Sequence, residues 1–180
     1  MPRFRTGAVV AIALAAGFVA WLVLRPGSNA KPLPQATPAH ASPKIVAPGR
    51  LRALASTLGY PLYWVGKRAA TRYELTRTAG GNTFIRYLPP QARAGDGRPA
   101  FLAIGTYPVR DPYGQIDAAA RRPGAVSLRL PLGGVAVYDR ATPTSVYFAY
   151  PGSKVQVEVY DPSGRTARRL VLTGQVVPIK

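Results

Sequence analysis

The chain has 180 residues, 24 basic against 7 acidic side chains, a net charge of +17 and no cysteine. The missing thiols exclude disulfides, cysteine nucleophiles and thiolate metal sites together. The basic excess favours polyanions as partners (anionic lipid, acidic wall polymer, nucleic acid), although an Arg- and Ala-rich composition also follows from GC-rich coding.

Residues 7–24, GAVVAIALAAGFVAWLVL, form an uncharged run in which the Trp21 indole is the sole side-chain hydrogen-bonding group. As a helix rising about 1.5 Å per residue it would reach about 27 Å, close to the hydrocarbon thickness of a bilayer. Residues 1–24 are therefore expected to be a short tail and a single transmembrane anchor. Two alternatives stay open: a cleaved signal peptide, for which Ser28-Asn29-Ala30 is a weak site, and a buried core helix. Arg3 and Arg5 precede the span, while Arg25 and Lys31 follow it. With the terminal amine added, this slight positive-inside bias places the C-terminal domain outside the cytoplasm.

Residues 25–48 carry Pro26, Pro32, Pro34, Pro38, Pro43 and Pro48 among Ala, Ser and Gly, the composition of an extended tether. Its full reach is on the order of 70 Å at roughly 3.1 Å per residue. His40, the only histidine, lies here, where a solvated and inert role is expected.

Residues 49–180 are the size of one domain. Leu51, Leu54, Ala55 and Leu58 share a helical face over 50–58, and Gly59 and Pro61 stop that helix. A strand at 62–65 follows. Strands at 72–78 and 83–88 form a hairpin around Gly80-Gly81, closed by Pro89-Pro90. Residues 91–100 read as an exposed polar loop, and 101–107 as the next strand. Asp111-Pro112 opens a second helix, Asp as cap and Pro at its first position, ending near Arg122. Strands at 125–130 and 135–138 come next.

The clearest pattern is 146–160. With Gly152-Ser153 as the turn, Val146, Phe148, Tyr150, Val155, Val157 and Val159 share one face. Tyr147, Ala149, Lys154, Gln156 and Glu158 share the other, as in a hairpin with one side toward solvent. Asp161-Pro162 should start a third helix as Asp111-Pro112 does, with Gly174 as its stop and a last short strand over 175–179. The expected class is α+β with a mainly antiparallel sheet and about three short helices. Sliding the chain by 73 residues lays 73–87 on 146–160, which suggests two α-β-β-β units with their helices on one face of a shared sheet.

No catalytic constellation, metal-ligand spacing or phosphate-binding glycine loop is visible, and no cofactor is expected. The domain lacks histidine. Glu74 and Glu158 lie on hairpin faces beside Arg or Lys, where cross-strand pairing accounts for them. A hydrolase built on Ser153 or Asp96 is the least favoured reading, and the chain is expected not to be an enzyme. Basic and aromatic residues interleave at Lys67, Arg68, Arg72, Tyr73, Arg77, Arg86 and Tyr87, and the polar loop adds Arg93, Asp96 and Arg98. These are the candidate binding residues, against the plain alternative that the rings fill the core and the arginines line its rim.

The phrases YPLYW, YELTRT, RYLPP and AYPGS with VQVEVYDP, spread over 59–178, resemble uncharacterised bacterial proteins with one N-terminal anchor and one exported domain. That resemblance implies no known activity. The expectation is a membrane-anchored extracytoplasmic binding or sensory module of the cell envelope, with anionic lipid, a wall polymer or a protein as partner. Nucleic acid is not favoured, and the oligomeric state stays open. The alternative is a structural or assembly protein docking a protein partner at its sheet edge.

Overall fold

The computed structural model describes residues 42–180. The expected anchor over 7–24, its orientation and His40 lie outside the described residues. Among those described, no helix is long and apolar enough to cross a membrane.

The described chain is α+β. It forms strands β1 (Lys44–Val46), β2 (Tyr63–Trp64), β3 (Arg72–Arg77), β4 (Thr83–Leu88), β5 (Ala103–Pro108), β6 (Ala125–Arg129), β7 (Val135–Asp139), β8 (Ser145–Ala149), β9 (Val155–Tyr160) and β10 (Val177–Pro178). The helices are α1 (Pro48–Ala55), α2 (Pro112–Ala120) and α3 (Gly164–Leu172). Eight strands make one sheet in the order β1-β3-β4-β5-β9-β8-β7-β6, every neighbour antiparallel, and β10 pairs with β2 in a separate ribbon. Two four-strand meanders thus meet at β5 and β9, and each is followed by a helix.

β1 lies inside the stretch read as tether. Residues 44–46 pair with 73–75 of β3, so the folded domain begins earlier than residue 49. An extended, β-branched segment beside an open strand edge gains backbone hydrogen bonds that no reading of proline content reveals.

Register fixes the layers. Alternate residues of β8 point oppositely. Val146 and Phe148 pack with Ala167, Leu170 and Val171 of α3 and with Leu51 of α1, while Tyr147 and Ala149 pack with Ile116 and Ala119 of α2. The helices therefore cover both faces, not one. The hairpin side expected to meet solvent is buried as well: Tyr147, Ala149, Gln156 and Glu158 are all at most 9% exposed. A two-residue alternation marks sides correctly but cannot say which layer will cover the more polar one.

Helix starts follow capping chemistry, with one difference. The Asp111 carboxylate accepts from the Gly114 N–H at 3.0 Å, with Pro112 opening α2. For α3 the cap is Ser163, not Asp161; Ser163 accepts from the Thr166 N–H, and Asp161 accepts from Ser163 N–H at 2.8 Å. Gly174, at φ +67°, ends α3.

Candidate functional site

The candidate residues cluster around the β3–β4 hairpin, where side chains of both faces reach out to hold loops. On the face shared with α1, Tyr73 and Tyr87 are buried and meet edge to face at 5.3 Å. The Tyr87 hydroxyl accepts from Val65 N–H at 2.8 Å and donates to Gly66 O at 3.3 Å. The Tyr73 hydroxyl accepts from Arg68 N–H at 2.8 Å. Burial pushes Tyr87 above its ordinary range, against the opposing hydrogen bond from Val65, so it stays a neutral phenol. The two rings are thus struts under the loop at 65–68. Lys67 and Arg68 stand exposed on that loop, and the Arg68 guanidinium lies 5.5 Å from the Tyr87 ring centre.

On the opposite face four side chains hold the loop between β4 and β5. Glu74, 1% exposed, accepts from Arg86 Nη1 at 2.8 Å and from Gly95 N–H at 2.5 Å. Arg86 also donates through Nη2 to Asp96 O at 2.6 Å and Arg98 O at 3.3 Å. Arg72 donates to Pro90 O and Ala92 O, and the Tyr160 hydroxyl donates to Pro99 O at 2.6 Å. The expected loop over 91–100 is present, but it is riveted to the sheet. Asp96 takes its Arg98 partner at 2.6 Å, and the Arg98 hydrogen bonds hold its carboxyl down at about 2. Arg93 and Arg98 project outward, and Arg98 and Arg86 both lie over Phe101, at 5.6 and 5.3 Å.

Lys67 and Arg68 lie on the α1 side of the sheet and Arg72, Arg93 and Arg98 on its opposite side, flanking the part of the hairpin where β3 begins and β4 ends. Arg77 lies at the other end, beside the turn at 78–82. Tyr73, Tyr87 and Arg86 are interior supports, not surface contacts, because each spends its polar atoms on backbone or on Glu74.

A second polar cluster escaped the sequence reading. Glu158 of β9, 3% exposed, accepts from Ser145 Oγ at 2.8 Å, from the Tyr147 hydroxyl at 2.9 Å and from the Tyr107 hydroxyl. Its expected Lys or Arg partner is replaced by three hydroxyls. Burial raises its pKa above the ordinary carboxylate range, with the three donors opposing that rise. Tyr107 and Tyr147 are also raised, by burial first and then by the Glu158 charge. Gly105, opposite Glu158 in the ladder, makes room: a Cβ there would stand 2.8 Å from the Tyr107 ring, which folds back over this position. Beside it the Gln156 Oε1 has no hydrogen-bond partner among the described residues. The available signal was the Tyr, Ser and Glu spacing on neighbouring strands, unreadable without the β5–β9 pairing.

Ser153 is engaged in its turn, donating to Val155 O and accepting from Val155 N–H. Among the described residues, no three His, Asp or Glu side chains are grouped to hold a metal ion. Compared with family models, curated proteins and solved structures, the chain matches none.

Proposed function

We propose that this chain is a membrane-anchored, extracytoplasmic binding module of the cell envelope, akin to the uncharacterised bacterial single-pass proteins it resembles. Its cationic loop pair is the surface that docks an anionic envelope polymer. One observation carries the reading: six buried or strand-borne side chains (Arg72, Tyr73, Glu74, Arg86, Tyr87 and Tyr160) are spent on holding two loops, while Lys67, Arg68, Arg93 and Arg98 on those loops stay exposed. A rigid cationic rim loses little conformational freedom on meeting a polyanion, which favours binding over repulsive self-crowding of its charges. The reading is of binding without turnover, since the Glu158 cluster is closed off beneath α2 and the sheet.

The test is elution of the full chain, in detergent micelles, from immobilised anionic wall polymer on a salt gradient. Charge reversal of Lys67, Arg68, Arg93 and Arg98 should bring elution to much lower salt. Reversal of four equally exposed arginines elsewhere, Arg50, Arg52, Arg165 and Arg169, should bring it down far less. Both variants carry the same net charge, so equal elution would refute a localised site.

A second reading has its own support. The outer edge of β6 has no strand neighbour among the described residues, so a protein partner could extend the sheet there. Pro substitution at Ser127 would then abolish partner capture without moving the salt elution.

A further inference from the structure

The turn between β6 and β7 contains an anomaly. Leu132 is 92% exposed and adopts φ +58°, ψ 25°, a left-handed conformation that leucine rarely occupies. An exposed leucine gains nothing from the fold, and the conformation costs about 1–3 kcal/mol. Gly or Asn would remove both penalties.

Its surroundings are defined by register. Arg129 pairs with Val135, Val135 with Ala149, Pro108 with Val155, and Arg77 with Thr83. The turns at 78–82, 130–134 and 150–154 and the loop at 109–111 therefore share one end of the sheet. Arg77, Arg110, Arg129 and Lys154 are exposed at this end. The acidic side chain on these loops, Asp111, is occupied in capping α2. The cationic loop pair lies at the other end. β1 runs antiparallel to β3 from Lys44, opposite Leu75, toward Tyr73, so the chain enters the domain from the Leu132 end. Upstream of that entry lie the tether and the apolar run at 7–24.

We infer that the Leu132 end rests on the anionic phospholipid surface of the bilayer that holds the N-terminal run, with Leu132 entering the acyl boundary and Arg77, Arg110, Arg129 and Lys154 meeting the head groups. A strained turn holds the leucine outward, and four cations match the sign of the surface. The cationic loop pair then faces away from the membrane. This inference rests on the anchored reading of residues 7–24.

The absence of cysteine permits a direct test. Full-length chain carrying Leu132→Cys, labelled with an environment-sensitive fluorophore, is reconstituted into vesicles of neutral or of mixed neutral and phosphatidylglycerol composition. Ala141→Cys, exposed at the opposite end, is the matched control. Expected is a blue-shifted, several-fold brighter emission from the first label only, on anionic vesicles only, reduced by Arg129→Glu with Lys154→Glu. Chain that floats with the vesicles while the label at position 132 stays as polar as that at 141 overturns the docking alone. Chain that fails to float overturns the anchored reading and this inference with it.

Discussion

Replacing Glu158 separates the two demands made on a buried carboxylate. In Glu158→Ala the hydroxyls of Tyr107 and Tyr147, at 5% and 9% residue exposure, lose their acceptor, and Ser145 loses one as well. A buried donor left without a partner costs about 1–3 kcal/mol, so two such tyrosines give a loss of about 2–6 kcal/mol before any cavity is counted. Glu158→Gln keeps the shape. Its amide oxygen can accept from Ser145 and Tyr147, but its nitrogen can only donate toward Tyr107 and leaves that hydroxyl proton without its acceptor, so the expected loss at pH 7 is about 1–3 kcal/mol, about half that of alanine. The pH dependence supplies the sign. With its pKa raised in the folded state, Glu158 holds a proton that the unfolded chain has already lost. Its contribution to stability is therefore complete below the unfolded carboxylate pKa and is lost as pH rises through the folded value. Wild type should weaken over that window, and Glu158→Gln should not. The assay is urea unfolding of the full chain in micelles, in a Trp21→Phe background so that Trp64 alone reports, followed by near-ultraviolet circular dichroism and fluorescence at a series of pH values. An alanine variant within 1 kcal/mol of wild type, or a glutamine variant with the wild-type pH slope, would refute this account of the cluster.

Three further outcomes are expected. Glu74→Ala leaves the Arg86 guanidinium without its carboxylate and frees Gly95 N–H, a loss of about 3–5 kcal/mol by the usual cost of breaking a buried pair. Limited trypsin digestion should cut faster after Arg93 in that variant, and unchanged cleavage would show that the loop is held by other means. Gly105→Ala drives a methyl into the Tyr107 ring and should cost about 1–3 kcal/mol by overpacking. Combined with Glu158→Gln, its cost should be less than additive, because the ring and the carboxyl act together; strict additivity would count against that coupling. Leu132→Asn should leave stability unchanged or raise it by up to about 1 kcal/mol, as read from the urea midpoint, since asparagine tolerates the left-handed backbone. A clear loss would mean that the leucine supports the fold itself.

Local chemistry was legible where it depends on neighbours in sequence. The hairpin around Gly80-Gly81, the α2 cap at Asp111, the α3 stop at Gly174 and the sidedness of 146–160 all follow from turn residues, caps and alternation. Errors arose where two local solutions compete: Asp161 and Ser163 both suit a helix start, and the backbone chose the later one. Of the site residues, Lys67, Arg68, Arg93 and Arg98 read as exposed because charges on polar loops stay solvated. Tyr73 and Tyr87 lie inside as the alternative of rings filling the core has it, whereas the buried Arg86 could not be told from the rim arginines by type, since an arginine is at home on a rim or as a strut.

The amino-acid order by itself set the α+β class, the antiparallel hairpins, the excess of positive charge and the exclusion of thiol chemistry, because each depends on spacing of a few residues or on counting. Only the tertiary structure decided that β1 belongs to the sheet, that α2 covers the face opposite α1 and α3, and that Glu158 meets Tyr107 from 51 residues away. Those outcomes depend on which strand edges pair and which layer excludes water. Such choices are made by free energy summed over distant contacts, and no window of neighbouring residues contains them.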